Sequence, residues 1–175
     1  NRGYFLARLH DGVTAEDSVG GTLLIARLAN LSTLNESLGR TVTDELLKAF
    51  GQGISDFSMR YPEALAARLN GADFALLLPG LALPQEEANA LLQNLILESA
   101  AFLQEQPSTW LACGHFSRGL DMESILAQVD SALAAVEAGG CNGLRSIDMH
   151  EGDEIPRSAI EWAKVIQRAL DKRWV

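Results

Sequence analysis

Side chains able to do chemistry are few in this chain, and the most suggestive of them gather at one turn. His10, His115 and His150 are scattered, and Cys113 and Cys141 stand far apart with no Cys-x-x-Cys or neighbouring His spacing. That pattern gives no catalytic base, metal cluster, zinc site or disulfide framework. What remains is the stretch Ala67 to Gly80, Ala-Arg-Leu-Asn-Gly-Ala-Asp-Phe-Ala-Leu-Leu-Leu-Pro-Gly, in which two apolar runs flank Asn70-Gly71. The dipeptide favours a tight hairpin because both residues accept positive φ at little steric cost. It predicts a sharp exposed turn in which Asn70, Gly71, Ala72, Asp73 and Phe74 follow one another and Asp73 is the only ionisable group.

Elements that would hold this turn can be read on either side. Tyr4 to Leu9 has helical spacing, Asp11 to Gly21 reads as a loop, and Thr22 to Leu28 as a strand. Thr41-Val42-Thr43-Asp44 has capping-box form, and Val42, Leu46, Leu47, Phe50, Ile54 and Phe57 follow at approximate helical spacing, predicting a helix from about Thr41 to Met59. After the hairpin, Pro84 opens a helix through about Gln104, Ala- and Leu-rich enough to be buried. Thr109 to Phe116 reads as a strand, Met122 to Ala138 as a helix closed by Gly139-Gly140, and Leu144 to Ile147 as a short last strand. This order, βαββαβ with one more helix-strand pair, predicts an α+β domain: a ferredoxin-like, mainly antiparallel sheet of about five strands with helices packed on it.

At 175 residues, 47% hydrophobic and 21% charged, the chain has the size of one domain with a tail. A formal net charge of -9 and the lack of any long basic run argue against nucleic acid as a partner. The longest apolar stretches, such as Leu76 to Leu83, are far below the roughly 20 residues that a membrane span requires. No secretory signal precedes them, so direct membrane contact is not expected, and the two distant cysteines fit a reducing cytoplasm. The abrupt start at Asn1 and the helical pattern still running at Trp174-Val175 suggest a piece of a longer protein.

The hairpin resembles the signature of the GGDEF family, the bacterial diguanylate cyclases that condense two GTP into cyclic di-GMP: Asn70, Gly71, Ala72, Asp73 and Phe74 stand where the family writes Gly-Gly-Asp-Glu-Phe. Other landmarks follow in order. Asn1-Arg2 with Tyr4-Phe5-Leu6 resembles the domain start, and Asn35, Gly39, Asp44 and Leu46-Leu47 its Asn-Asp-x-x-Gly-His-x-x-Gly-Asp-x-Leu-Leu pattern. Gly114 is similar to the glycine of its Ser-Ile-Gly strand, and Asp130-Ser131-Ala132-Leu133 with Gly140 and Asn142 to its last helix and turn. The resemblance implies the same palm-like core and a degenerate GGDEF domain over residues 1–150.

It also implies that the chemistry is lost. Such nucleotidyl transfer depends on divalent ions held by carboxylates. In register with the family, the aspartate at the end of the first strand is Arg27, the acid two residues on is Ala29, the aspartate of the turn is Ala72 and the glutamate is Asp73. A cation where Mg²⁺ must sit predicts that metal binding is lost. The family's phosphate-binding Lys after the first strand corresponds to Ser32, and its Lys and Arg near the last helix to Glu137 and Cys141. Arg27 is in register to pair with Asp73, its alternative being solvent. Asn35 and Asp44 match the positions that read guanine; their plainer readings are a turn residue and part of the capping box. The nearest approach to the family's inhibitory Arg-x-x-Asp is Arg60-Tyr61-Pro62-Glu63, with one extra residue before the turn, so no inhibitory site is expected.

Residues 151–175 read as an acidic linker and a helix from Pro156 in which Ile160, Ala163, Ile166, Ala169 and Leu170 share a face. This resembles the connecting helix into an EAL domain, the alternative being a helix folded back on its own domain. The function implied is a catalytically inactive, regulatory GGDEF domain in a tandem GGDEF-EAL protein, similar in general character to membrane-attached receptors of the LapD type. The alternatives are a GTP-binding allosteric sensor and a weakly active cyclase. The partners implied are the EAL domain, a second copy of the parent, and GTP or cyclic di-GMP.

Overall fold

In the computed structural model, which describes residues 2–15, 17–103, 106–150 and 159–173, the near-continuous apolar run Leu23-Leu24-Ile25-Ala26 becomes the middle of the central strand β1 (Gly21–Leu28). A strand covered on both faces needs no polar alternation, and every β1 residue but Arg27 is buried. Strands β2 (Leu65–Arg68), β3 (Asp73–Pro79), β4 (Thr109–Phe116) and β5 (Gly143–Met149) complete a sheet in the order β2-β3-β1-β4-β5. β1 is antiparallel to both neighbours, β2 to β3, and β5 runs parallel to β4. This is the mainly antiparallel, ferredoxin-like sheet of five strands that the sequence predicts.

Two apolar clusters sandwich the sheet. On one face, α1 (Arg2–Thr14), α5 (Met122–Ala138) and α6 (Ala159–Arg173) cover Leu23, Ile25, Ala75, Leu77 and Ala112. On the other, α3 (Arg40–Ser58) and α4 (Gln85–Leu103) cover Leu24, Ala26, Leu28, Leu76, Leu78 and Leu111. Period-two alternation along β1 therefore sends Arg27 to the α5 face. Close approach explains two glycines. A Cβ on Gly114 would lie 2.6 Å from Val129 Cγ2 of α5, and one on Gly51 2.9 Å from the Phe74 ring.

Several elements depart from their sequence-based bounds. α1 runs to Thr14, into the predicted loop, because Val13 continues the buried stripe of Phe5, Leu6 and Leu9 and the Thr14 hydroxyl donates to the His10 carbonyl at 2.8 Å. An unpredicted helix, α2 (Leu31–Leu38), precedes α3, and Gly39 at φ 80° separates the two. Consequently α3 is capped by Gly39, not by Thr41. The capping box of Thr41 and Asp44 is not made, since both lie inside the helix; instead the Thr43 hydroxyl donates to the Gly39 carbonyl at 2.9 Å. α4 buries one face rather than its whole surface, leaving Leu97 71% exposed.

α6 folds back on the domain. Ile166 is 2% exposed, and Trp162, Val165, Ala169 and Leu170 pack on the cluster that holds Phe5 and Leu9 of α1, whereas Ile160 of the predicted stripe is 69% exposed. The acidic linker and the start at Pro156 lie outside the described residues. Among the described residues no helix is long and apolar enough to cross a membrane.

Gly114→Val puts two methyl groups where Val129 and Met149 already sit. Overpacking of this kind costs about 1–3 kcal/mol, so the urea midpoint should fall with an unchanged slope.

Candidate functional site

The register of β1 on β3 sets Arg27 directly opposite Asp73, the last residue of one strand but one against the first of the other. Their side chains form a two-pronged pair on the α5 face: Arg27 Nε donates to Asp73 Oδ1 at 2.6 Å and Nη2 to Oδ2 at 2.9 Å. The planar guanidinium matches the carboxylate edge to edge, a geometry that lysine cannot copy. The ion pair expected from the sequence is formed, and the solvent-facing alternative for Arg27 is not.

The remaining donors of Arg27 reach α5. Nη1 lies 3.1 Å from Glu137 Oε2 and Nη2 3.4 Å from Asp130 Oδ1. These two acids are seven positions apart, so two helical turns bring them to the same face. Three carboxylates, the hydrogen-bonded Asp73 foremost, raise the Arg27 pKa still further and outweigh the opposing effect of burial. Asp130 shifts the other way from a typical ion-paired acid: burial, its largest influence, raises its pKa, and Arg27 offsets this only in part.

The turn is built differently from the tight hairpin predicted. Neither Asn70 nor Gly71 takes positive φ, and a four-residue connection, residues 69–72, joins β2 to β3. Asn70 makes the short turn unnecessary, because its Oδ1 accepts the backbone N–H groups of Ala72 at 3.3 Å and Asp73 at 3.2 Å. Its Nδ2 then donates to Asp73 Oδ2 at 3.1 Å. Arg68 gathers the Asn70 and Gly71 carbonyls, while the Ala72 carbonyl accepts the Leu28 N–H at 3.0 Å and ties the loop to the end of β1. Phe74 points to the opposite face, 5.4 Å from the Phe50 ring. Ala29 is buried, its N–H given to the Ser108 carbonyl at 2.8 Å.

These residues do not fit a divalent ion. Both oxygens of Asp73, which is 5% exposed, are engaged by Arg27, one of them also by Asn70. Asp130 and Glu137 point at the same guanidinium, whose charge repels a metal from all three carboxylates. Among the described residues no group of three or more His, Cys, Asp or Glu is placed to hold a metal.

Other sequence candidates stay apart from this cluster. Asn35 is a half-buried residue inside α2, not a turn residue, and its carbonyl accepts the Gly39 N–H at 3.1 Å. Asp44 is exposed in the second turn of α3. Arg60 and Glu63 diverge: Arg60 stacks over Phe57 and lies 3.6 Å from Glu87, whereas Glu63 lines a hollow of about 410 Å³ with Arg8, Leu9 and Phe116. The sequence reading missed Asp130 as a partner of Arg27 and treated Glu137 only as the residue standing in place of a phosphate-binding cation. The seven-residue interval on one helix was the available signal. It named Asn142 only as a turn landmark, whereas its Oδ1 accepts the N–H groups of Ser108 at 2.7 Å and Thr109 at 2.8 Å and fixes the start of β4.

The family model "Diguanylate cyclase, GGDEF domain" matches residues 1–143. The chain is 27% identical to the RNase E specificity factor CsrD of Escherichia coli over 98% of its own length and 27% of the relative's, so it spans about a quarter of that protein. A Streptomyces griseus protein of uncharacterised role is 34% identical over 59% of this chain and 41% of its own. Among solved structures, the GGDEF domain of DgcB from Caulobacter crescentus, in complex with c-di-GMP, superposes with a TM-score of 0.71 at 20% identity, covering 83% of this chain and 87% of that one. The S helix-GGDEF-EAL part of Vibrio cholerae LapD, bound to c-di-GMP, gives 0.70 at 18% identity, covering 99% of this chain and 40% of that one.

Arg27→Met leaves the buried Asp73 carboxylate uncompensated and should cost about 3–5 kcal/mol in urea unfolding, most of it recovered in Arg27→Met/Asp73→Leu. Asp130 gives the pH test. Its folded pKa is raised, so its ionised form opposes folding above that pKa, and the opposition fades as pH falls to the ordinary aspartate range near about 3.9. Asp130→Asn should therefore be more stable than the parent at pH 7, with the advantage shrinking toward acid.

Proposed function

The chain belongs to the GGDEF family, and from that premise we propose that it is a catalytically inactive GGDEF domain, kept as a regulatory module of cyclic di-GMP signalling. The observation that carries the reading is the guanidinium of Arg27 clasping Asp73 at 2.6 and 2.9 Å, at the strand position where the family pattern places a metal-holding carboxylate. Nucleotidyl transfer without its metal ions has nothing to neutralise the charge that builds on the phosphates. The excess of acid around Arg27 adds repulsion toward a triphosphate. Cyclase activity and Mg²⁺ binding are absent on this reading.

The parent is then a tandem protein in which α6 leads toward an EAL domain that degrades or senses cyclic di-GMP. The match to the LapD structure, which reaches 99% of this chain, supports that arrangement, as does one to an EAL/GGDEF domain protein of M. capsulatus at 25% identity and a TM-score of 0.59. The similarity to a protein named as a specificity factor rather than a cyclase supports a role in contacts instead of turnover. We place the domain in the bacterial cytoplasm, in a parent anchored at the inner membrane and able to pair with a second copy. Fold stability and site chemistry reside in different side chains, so such a domain survives the loss of its reaction.

Thermal-shift measurements with GTP, GDP and cyclic di-GMP, each with and without Mg²⁺, test the proposal alongside an assay for cyclic di-GMP formed from GTP. A ligand present at 100 times its Kd stabilises by about 2.7 kcal/mol, several degrees for a domain of this size. The expected outcome is no Mg²⁺-dependent shift with GTP and no product. A metal-dependent GTP shift without product would make the domain a nucleotide sensor, and product would make it a cyclase.

A further inference from the structure

We propose that α1 and α6 act as one mechanical unit, so that loosening or displacing either helix is relayed to the other without passing through the Arg27 cluster or the hairpin. This rests on the reading of the domain as a transmitting module and specifies its route. The arrangement of neighbours carries the inference. Helix α6 is the principal neighbour of α1, ahead of the sheet edge that α1 also touches, while the other support of α6 is α5. Ile166 of α6 is 2% exposed in the same cluster as Phe5, Leu9 and Val13 of α1, with Trp162, Val165, Ala169 and Leu170 packed around it. If α6 were lifted, α1 would lose its main apolar cover on that side.

α5 behaves differently from its two companions. It buries eight residues, meets β4 where Gly114 lets Val129 close in, and is clamped to the sheet by Asp130 and Glu137 on Arg27. It therefore serves as the fixed bed, and the α1–α6 pair as the part that moves on it. The ion cluster involves neither helix, so the route stays intact when the site's chemistry is lost. Coupling of this kind is reciprocal: what frees α6 must free α1, and the converse holds to the same extent.

Hydrogen exchange on the 175-residue chain tests this without any nucleotide. In Ile166→Ala, amides of α1 and α6 should both exchange about tenfold faster or more, while β1, β3 and α3 keep their protection; Leu9→Ala should free α6 in return. Faster exchange in α6 alone would overturn the proposal. So would an equal rise in every element of both Ile166→Ala and the milder Leu170→Ala, since that is global destabilisation. Because no ligand enters, a GTP-dependent shift would overturn the inactive-module reading and leave this result standing, and uncoupled helices would do the reverse.

Discussion

Everything in the site follows from the register of two strands. Arg27 meets Asp73 because Leu23 meets Leu77, Leu24 meets Leu76, Ile25 meets Ala75 and Ala26 meets Phe74, four rungs of apolar pairing that lock β1 on β3. A slip by one residue would turn Arg27 toward the α3–α4 core and Leu24 and Ala26 toward α5, an outcome that burial on both faces forbids. The ion pair did not have to direct folding. It occupies a place the hydrophobic pattern had already fixed, which is how a charged residue comes to sit at the end of an otherwise apolar central strand. Its net contribution to stability is small beside the penalty for breaking it, since desolvation has consumed most of the attraction.

From that pair the order spreads outward. Asn70 closes the hairpin and holds Asp73 with the same amide, so turn geometry and carboxylate orientation are one structure. Asp130 and Glu137 extend the guanidinium's reach to α5, and through α5 the hairpin is joined to the layer that contains α1 and α6. The end of the central strand thus carries a cross-brace between layers. The exposed residues that remain from the family pattern, Asp44 among them, carry no part of this brace.

How much of this was legible beforehand depended on the range of the interaction. The strands, α5 and the pairing of Arg27 with Asp73 could be read because alternation, caps and strand register are local or nearly so. α2 escaped because eight residues with Leu31, Leu34 and Leu38 give a weak stripe, and the cue for its start is a left-handed Asn30 rather than a capping hydroxyl. Asn70-Gly71 misled for a related reason: the dipeptide permits a tight turn, but a side-chain amide that can bond its own backbone offers a second solution. The contact of Asp130 with Arg27 spans 103 residues, and the packing of α6 on α1 lies between the two ends of the fold. Neither distance is encoded in any window of sequence.

The three carboxylates around Arg27 also decide which substitutions position 27 tolerates. Placing an aspartate at position 27 would set four acids against one another with their shared guanidinium gone, in a site whose central carboxylate is already shut off from water. A carboxylate there would be accommodated only once Glu137 and Asp130 were relieved of their present task, so the positions around the guanidinium constrain one another's substitution. The guanidinium thus works as a keystone, since its removal would set the acids around it at odds with one another.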